Sequence, residues 1–235
     1  MKKEVIAALD FDSRERTLEF LDIFRETKPF VKIGMELFYS EGPQIVREIK
    51  ARGHKLFLDL KLHDIPNTVG KAMKSLAALD ADIVNVHAAG AVEMMQAAVK
   101  GIAGCDNPPL VIAVTQLTST DEQTMRNRLL IDYPMEEVVA KYASNAKEAG
   151  LAGVVCSPLE VPEVKKICGE SFVTVTPGIR FAGEGRGEQK RVTTPAQAAE
   201  LGSDFIVMGR SITGAADPEE AYIRAMREFG GDDNE

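Results

Sequence analysis

The sequence predicts a single α/β domain, a (β/α)8 barrel of the TIM type, on three observations. Eight short apolar runs, rich in leucine and β-branched residues, alternate along the chain with longer amphipathic segments. Eight strand–helix units in 235 residues fit the small end of the usual size of this barrel. The first strand is not followed by the G-x-G-x-x-G pattern of a dinucleotide-binding open sheet, which favours the closed arrangement.

The predicted elements follow one another without a long linker. The strands are expected at Val5–Leu9, Phe30–Gly34, Lys55–Lys61, Ile83–His87, Leu110–Thr115, Gly153–Cys156, Phe172–Thr176 and Phe205–Met208. The helices are expected at Arg14–Glu26, Pro43–Ala51, Val69–Leu79, Val92–Gly101, Glu136–Ala149, Val161–Ile167, Ala196–Leu201 and Glu219–Phe229. Thr194 before Pro195 is typical of a helix start, and Gly53 and Gly150 fall where helices should end. The barrel domain is therefore expected over residues 1–229, followed by a flexible tail at 230–235.

Composition narrows the function classes. The chain has 28 basic and 36 acidic residues, a net charge of −8, and no basic run, so we expect no nucleic-acid partner. No apolar run approaches the roughly 20 residues that span a bilayer, and the N-terminus does not resemble a signal peptide. The three cysteines lack a C-x-x-C spacing and are expected to be reduced thiols of a cytoplasmic protein. The histidines are too scattered to indicate a metal site.

The most informative segment is LDLKLHDIPNT, residues 58–68. Asp59 and Lys61 are two residues apart in a strand-like run, so their side chains share one face while the leucines share the other. Asp64 follows in the turn that leaves the strand. An exposed edge strand would also carry such charges, but a closed barrel has no edge. We therefore expect Asp59 and Lys61 to point into the barrel at its C-terminal end, where active sites of this fold lie.

Polar residues at the ends of other predicted strands indicate the same opening. They are Asp10 after strand one, Lys32 in strand two, Thr118 after strand five, Arg180 after strand seven, and Gly209, Arg210 and Ser211 after strand eight. A glycine, a cation and a hydroxyl at the start of a helix are typical of a phosphate site. The glycine-rich segment 181–190 is expected to form a lid that closes over the ligand.

With these motifs the chain resembles the orotidine 5′-phosphate decarboxylase family, in its short bacterial form. The resemblance runs from Leu9 to Arg210, and its motifs in order are VKIG at 31–34, DLKLHDIPNT at 59–68, TQLTS at 115–119, TPGIR at 176–180 and MGRSI at 208–212. It implies a lyase that converts orotidine 5′-phosphate to UMP and CO2, the last step of de novo pyrimidine biosynthesis. It also implies a homodimer with active sites shared across the interface, and no cofactor.

The resemblance assigns roles to individual residues. Lys61 is implied as the proton donor, with Asp59 and Asp64 completing the charged array and Asp64 reaching in from the partner subunit. The implied substrate-binding residues are Asp10, Lys32 and Thr68 at the ribose, Thr118 and Gln189 at the pyrimidine and nearby phosphate, Arg180, Gly209 and Arg210 at the substrate and its phosphate, and Ile65. Loss of CO2 leaves negative charge on C6 of the pyrimidine. Because the chain carries no signature of a cofactor that could accept this charge, an ammonium group would have to stabilise it and then protonate C6.

Two alternatives remain open on the sequence. The first is a Mg2+-dependent sugar-phosphate decarboxylase or aldolase that shares the D-x-K-x-x-D strand. Those relatives carry a metal-binding glutamate in strand two, where this chain has Lys32, and a cation there would repel Mg2+. The second is a non-catalytic barrel that binds nucleotides, which would have no need to hold three charges away from water.

Overall fold

The computed structural model describes residues 3–184 and 192–230. Over these residues, eight parallel strands close into a barrel in sequence order, and the eighth pairs with the first. The strands are β1 (Glu4–Ala8), β2 (Phe30–Gly34), β3 (Leu56–Leu62), β4 (Ile83–His87), β5 (Leu110–Val114), β6 (Gly153–Val155), β7 (Val173–Thr176) and β8 (Phe205–Met208). The predicted fold class is confirmed, and three of the predicted strands have the predicted bounds.

The helices surround the barrel. They are α1 (Arg14–Ile23), α2 (Met35–Glu41), α3 (Pro43–Ala51), α4 (Pro66–Ala77), α5 (Ala91–Gly101), α6 (Glu122–Leu129), α7 (Met135–Glu148), α8 (Val161–Cys168), α9 (Pro195–Glu200), α10 (Arg210–Thr213) and α11 (Pro218–Gly230). The sequence did not predict α2, α6 and α10, which have 7, 8 and 4 residues. They follow β2, β5 and β8, and each is shorter than the window over which helical periodicity can be recognised.

The core has two layers, which the alternation of strand side chains separates. Between the strands and the helices lies a large cluster that includes Leu58 and Leu60. Inside the barrel lies a smaller one, made of Ile6, Ala8, Phe30, Phe57, Ile83, Ile112, Val173, Val175, Phe205 and Val207. Two positions further along β2 and β3, the inward-facing residues are Lys32 and Asp59 instead of phenylalanine. The barrel interior therefore changes from apolar to charged towards its C-terminal end.

The element ends show which local signals were reliable. Thr194 caps α9 by accepting a hydrogen bond from the Gln197 N–H, and Gly53 has a positive φ of 84° after α3. The helix predicted at Val69–Leu79 begins three residues earlier, because Pro66 is the first residue of α4, where its fixed φ suits a helix. Gly230, assigned to the tail, ends α11, and 231–235 lie outside the described residues.

None of the helices within residues 3–184 and 192–230 is long and apolar enough to cross a membrane.

Candidate active site

A buried carboxylate lies between two lysines at the C-terminal end of the barrel. Asp59 of β3 is 8% exposed. Its Oδ1 accepts a hydrogen bond from Lys61 Nζ at 2.7 Å, and its Oδ2 lies 3.5 Å from Lys32 Nζ on β2. Lys32 Nζ also donates to Oδ1 of Asp10, the second residue after β1, at 3.1 Å. Four predicted site residues from neighbouring strands thus form one array of alternating charge.

The array keeps Asp59 ionised. Burial alone would raise the pKa of this carboxyl, but the charges of Lys32 and Lys61 and the hydrogen bonds from Lys61 and Asn85 outweigh it, so the pKa lies below its ordinary value. The ionised Asp59 attracts the Lys61 ammonium, which lies 2.7 Å from it, and so restricts the position of that ammonium. The arrangement can therefore present a fixed cation to a ligand at the mouth of the barrel.

Lys61 departs from regular strand geometry. Its φ is +51°, a left-handed conformation that residues other than glycine and asparagine seldom adopt. The Lys61 backbone N–H donates to Oδ1 of Asn85 on β4 at 2.7 Å, and Asn85 Nδ2 donates to Asp59 Oδ1 at 2.6 Å. Sequence reasoning missed Asn85. Its signal was an amide side chain at an inward-facing position of an otherwise apolar strand.

Two histidines lie close to the array. The rings of His63 and His87 are 5.7 Å apart and tilted by 42°. Burial, reinforced by the charges of His63 and Lys61, lowers the pKa of His87. The lowered pKa favours the neutral form of the His87 ring at neutral pH.

Two cavities adjoin at this end of the barrel. The smaller, of about 190 Å³, is lined by the predicted residues Lys32, Asp59, Lys61 and Thr118. Its other lining residues are mostly apolar: Phe57, Val114, Gln116, Leu117, Val155, Cys156, Pro177 and Val207. Charged groups on an apolar wall act more strongly on a ligand than the same groups in water. The small cavity therefore suits a part of a ligand that develops charge.

The larger cavity, of about 440 Å³, holds the other predicted cations. The predicted residues that line it are Asp10, Lys32, Arg180, Gly209, Arg210 and Ser211. Lys32, Pro177 and Val207 line both cavities, so a single ligand can extend from one into the other. Two guanidinium groups and a lysine give the larger cavity the charge that a phosphate group requires.

Three predicted site residues do not line either cavity in the single chain. Asp64, Ile65 and Thr68 are exposed, and Ile65 retains 67% of its surface. Asp64 Oδ1 accepts only from the adjacent Ile65 N–H among the described contacts. Gln189 and residues 185–190 of the expected lid lie outside the described residues.

No group of three or more His, Cys, Asp or Glu side chains that could hold a metal ion occurs in the part of the chain that the structure describes.

Comparisons with known proteins agree on one family. A family model described as "Orotidine 5′-phosphate decarboxylase / HUMPS family" matches residues 3–225. The chain is 55% identical over 237 residues to an orotidine 5′-phosphate decarboxylase of Geobacillus sp., with 99% of each chain covered. It is similar to the crystal structure of orotidine 5′-phosphate decarboxylase from Lactobacillus acidophilus, with a TM-score of 0.87 and 42% identity, covering 97% of this chain and 100% of the other.

Proposed function

The chain belongs to the orotidine 5′-phosphate decarboxylase / HUMPS family, and from this membership we propose that it is a lyase that converts orotidine 5′-phosphate to UMP and CO2 in pyrimidine biosynthesis. The observation that carries the proposal is the buried Asp59, bonded to Lys61 at 2.7 Å, in an apolar cavity that adjoins an arginine-lined one. The apolar cavity would hold the pyrimidine ring that loses CO2, and the arginine-lined cavity would hold its 5′-phosphate.

In the proposed reaction, the bond between C6 of the pyrimidine and its carboxylate breaks, and the electron pair stays on C6 as CO2 leaves. The Lys61 ammonium stabilises this charge and transfers a proton from Nζ to C6, after which the lysine regains a proton from solvent. Asp59 fixes the position of the ammonium through its hydrogen bond to Nζ. Phe57, Val114 and Val155 exclude water around the reacting carbon, which strengthens the attraction.

Substrate binding follows the lining of the two cavities. We propose that Thr118 contacts the pyrimidine and that Asp10 and Lys32 contact the ribose at the junction of the cavities. The phosphate would bind Arg180, Arg210 and the Gly209 backbone. By the family resemblance, Gln189 would contact the pyrimidine and the nearby phosphate. It lies outside the residues that the structure describes.

We also propose that two copies of the chain share their sites. Asp64, Ile65 and Thr68 are exposed at the start of α4, so a second copy packed against this face would receive them. Lys61→Ala and Asp64→Ala homodimers should then both be impaired. Refolding equal amounts of the two together gives mixed dimers with one intact site of two, so activity should recover to roughly a quarter of wild type. If subunit exchange occurs without any recovery, Asp64 serves its own chain.

The proposed function is tested by following loss of the orotate chromophore after the purified protein is mixed with orotidine 5′-phosphate. Wild type should turn over, and Lys61→Ala should lose activity. Lys55→Ala provides a matched control, because Lys55 lies just before the same strand at the opposite end of the barrel, paired with Glu4. Lack of turnover by wild type would leave the two alternatives, a sugar-phosphate enzyme and a non-catalytic nucleotide-binding barrel.

Treatment with a chelator distinguishes the proposed decarboxylase from a Mg2+-dependent sugar-phosphate enzyme. Activity should survive exhaustive treatment with EDTA, because Lys32 occupies the position where a metal ligand would be needed. Activity that EDTA removes and Mg2+ restores would instead assign the chain to the sugar-phosphate enzymes. Cytoplasmic location and the lack of a nucleic-acid partner remain predictions.

A further inference from the structure

The structure contains an inward-facing amide that the proposed reaction does not use. Asn85 is 1% exposed, in the middle of β4, between the fully buried Val84 and Val86. With so little surface it offers a substrate nothing to contact. Its neighbours on the same face are Ile83 of the apolar barrel interior and His87 at the end of the strand. A polar group in such a place costs stability unless it forms hydrogen bonds, so its partners indicate what it does.

Asn85 lies opposite an irregularity in β3. Leu58 pairs with Val84 and Leu62 pairs with Val86, so the three residues 59–61 of β3 face a single residue of β4. Regular ladder bonds cannot form across this interval. The side-chain oxygen of Asn85, Oδ1, takes their place by accepting the Lys61 backbone N–H at 2.7 Å. This bond holds the backbone of Lys61 in a conformation that a lysine would not otherwise keep.

The other end of the same amide acts on the carboxylate. Asn85 Nδ2 donates at 2.6 Å to Asp59 Oδ1, the same oxygen that accepts from Lys61 Nζ. The Asn85 side chain therefore fixes both the backbone of Lys61 and the Asp59 carboxylate that binds the Lys61 ammonium. An amide is suited to this because it carries a donor and an acceptor in one rigid plane. An aspartate of the same shape would have to turn an acceptor towards the Asp59 carboxylate.

We propose that Asn85 is a positioning residue for the decarboxylation, which sets the place of the Lys61 ammonium through these two hydrogen bonds. The inference rests on the proposed function and deepens it. Its consequence is specific: loss of Asn85 should impair the step in which Lys61 stabilises and protonates C6. It should leave intact the binding that depends on the phosphate and ribose contacts of the other cavity.

The test compares Asn85→Ala, which removes both bonds, with Asn85→Asp, which has the same shape and keeps an acceptor for the Lys61 N–H. We expect kcat to fall roughly 100-fold in each, because a displaced reacting group costs about that factor. The dissociation constant of UMP should stay within about threefold of wild type. Val84→Ala is the matched control: it removes a buried side chain from the helix-facing side of the same strand, and its kcat should be unchanged.

Several results would overturn the inference. Wild-type kcat in Asn85→Asp would do so even if Asn85→Ala failed to fold. Parallel losses of kcat and UMP affinity, or an equal loss of kcat in Val84→Ala, would show that β4 supports the site only as part of the fold. If wild type itself does not decarboxylate the substrate, the proposed function fails and the inference with it, whereas an active wild type with unimpaired Asn85 variants refutes the inference alone.

Discussion

Replacement of Lys32 by methionine tests whether the charges of the site act as one electrostatic unit. Lys32 Nζ lies 3.5 Å from Asp59 Oδ2, and both side chains are 12% exposed. At that separation, and with an effective dielectric constant near 20, two unit charges attract by roughly 5 kcal/mol. Solvent screening and the second partner of Lys32, Asp10 at 3.1 Å, reduce this figure, so we expect a coupling free energy of about 2–4 kcal/mol between the two residues.

The coupling is measured by a double-mutant cycle of Lys32→Met and Asp59→Asn, from urea unfolding at fixed protein concentration. Lys32→Met should destabilise wild type much more than it destabilises Asp59→Asn. Because the pKa of Asp59 is lowered in the folded protein, the coupling should be full above the ordinary carboxyl pKa near 4 and should be lost as the pH falls below it.

An exposed pair provides the control for this cycle. Lys55 and Glu4 approach to 2.8 Å, but the lysine side chain is 55% exposed, so their coupling should stay below about 1 kcal/mol. A coupling of the Lys32–Asp59 pair that is no larger than that of the exposed pair would refute the electrostatic account. A coupling that does not change with pH would refute it as well.

Three further predictions concern the phosphate cavity and the barrel wall. Arg210→Ala should cost roughly 1.5–3 kcal/mol in kcat/KM for orotidine 5′-phosphate but little for the nucleoside orotidine, and equal losses would place Arg210 away from the phosphate. Tyr222→Phe should lower the free energy of unfolding in urea by roughly 1–3 kcal/mol, because the buried hydroxyl accepts the Phe30 N–H and donates to the Val5 carbonyl. Glu219 accepts backbone N–H bonds, that of Thr27 foremost, which lower its pKa to about 2. Glu219→Gln should therefore destabilise the protein above the ordinary glutamate pKa, and in thermal melts this difference should vanish as the pH falls towards 2.

Much of the barrel was predictable because strand and helix periodicities repeat over many units. Phe30–Gly34 and Pro43–Ala51 have the bounds that apolar spacing and flanking turn residues indicated. Arg210–Thr213 was missed because four residues carry no period, and because its position depends on how the chain leaves β8. Pro66 was left outside the helix predicted at Val69–Leu79, since proline marks both turns and first helical positions, and only tertiary packing decides between them.

The candidate site likewise has some features that the sequence predicted and others that it could not predict. Alternation along β3 correctly placed Asp59 on the inner face of the barrel, since facing direction is a local property of a strand. The conformation of Lys61 was not predictable, because it depends on a hydrogen bond from another strand, and the sequence motif contains no sign of that partner. The role predicted for Asp64 requires a second copy of the chain, so it remains a prediction.

The irregularity of β3 explains why so short a segment can hold the charged array. In a regular strand, side chains two residues apart stand parallel, and their Cα atoms are separated by nearly two full rises of about 3.3 Å each. The left-handed turn at Lys61 departs from that geometry, and its ammonium lies 2.7 Å from the Asp59 carboxylate. Such a conformation costs of order 1–3 kcal/mol and persists only where neighbouring contacts determine it. Because Asn85 and Asp59 provide those contacts, we infer that the strain belongs to the function of the site rather than to the stability of the barrel.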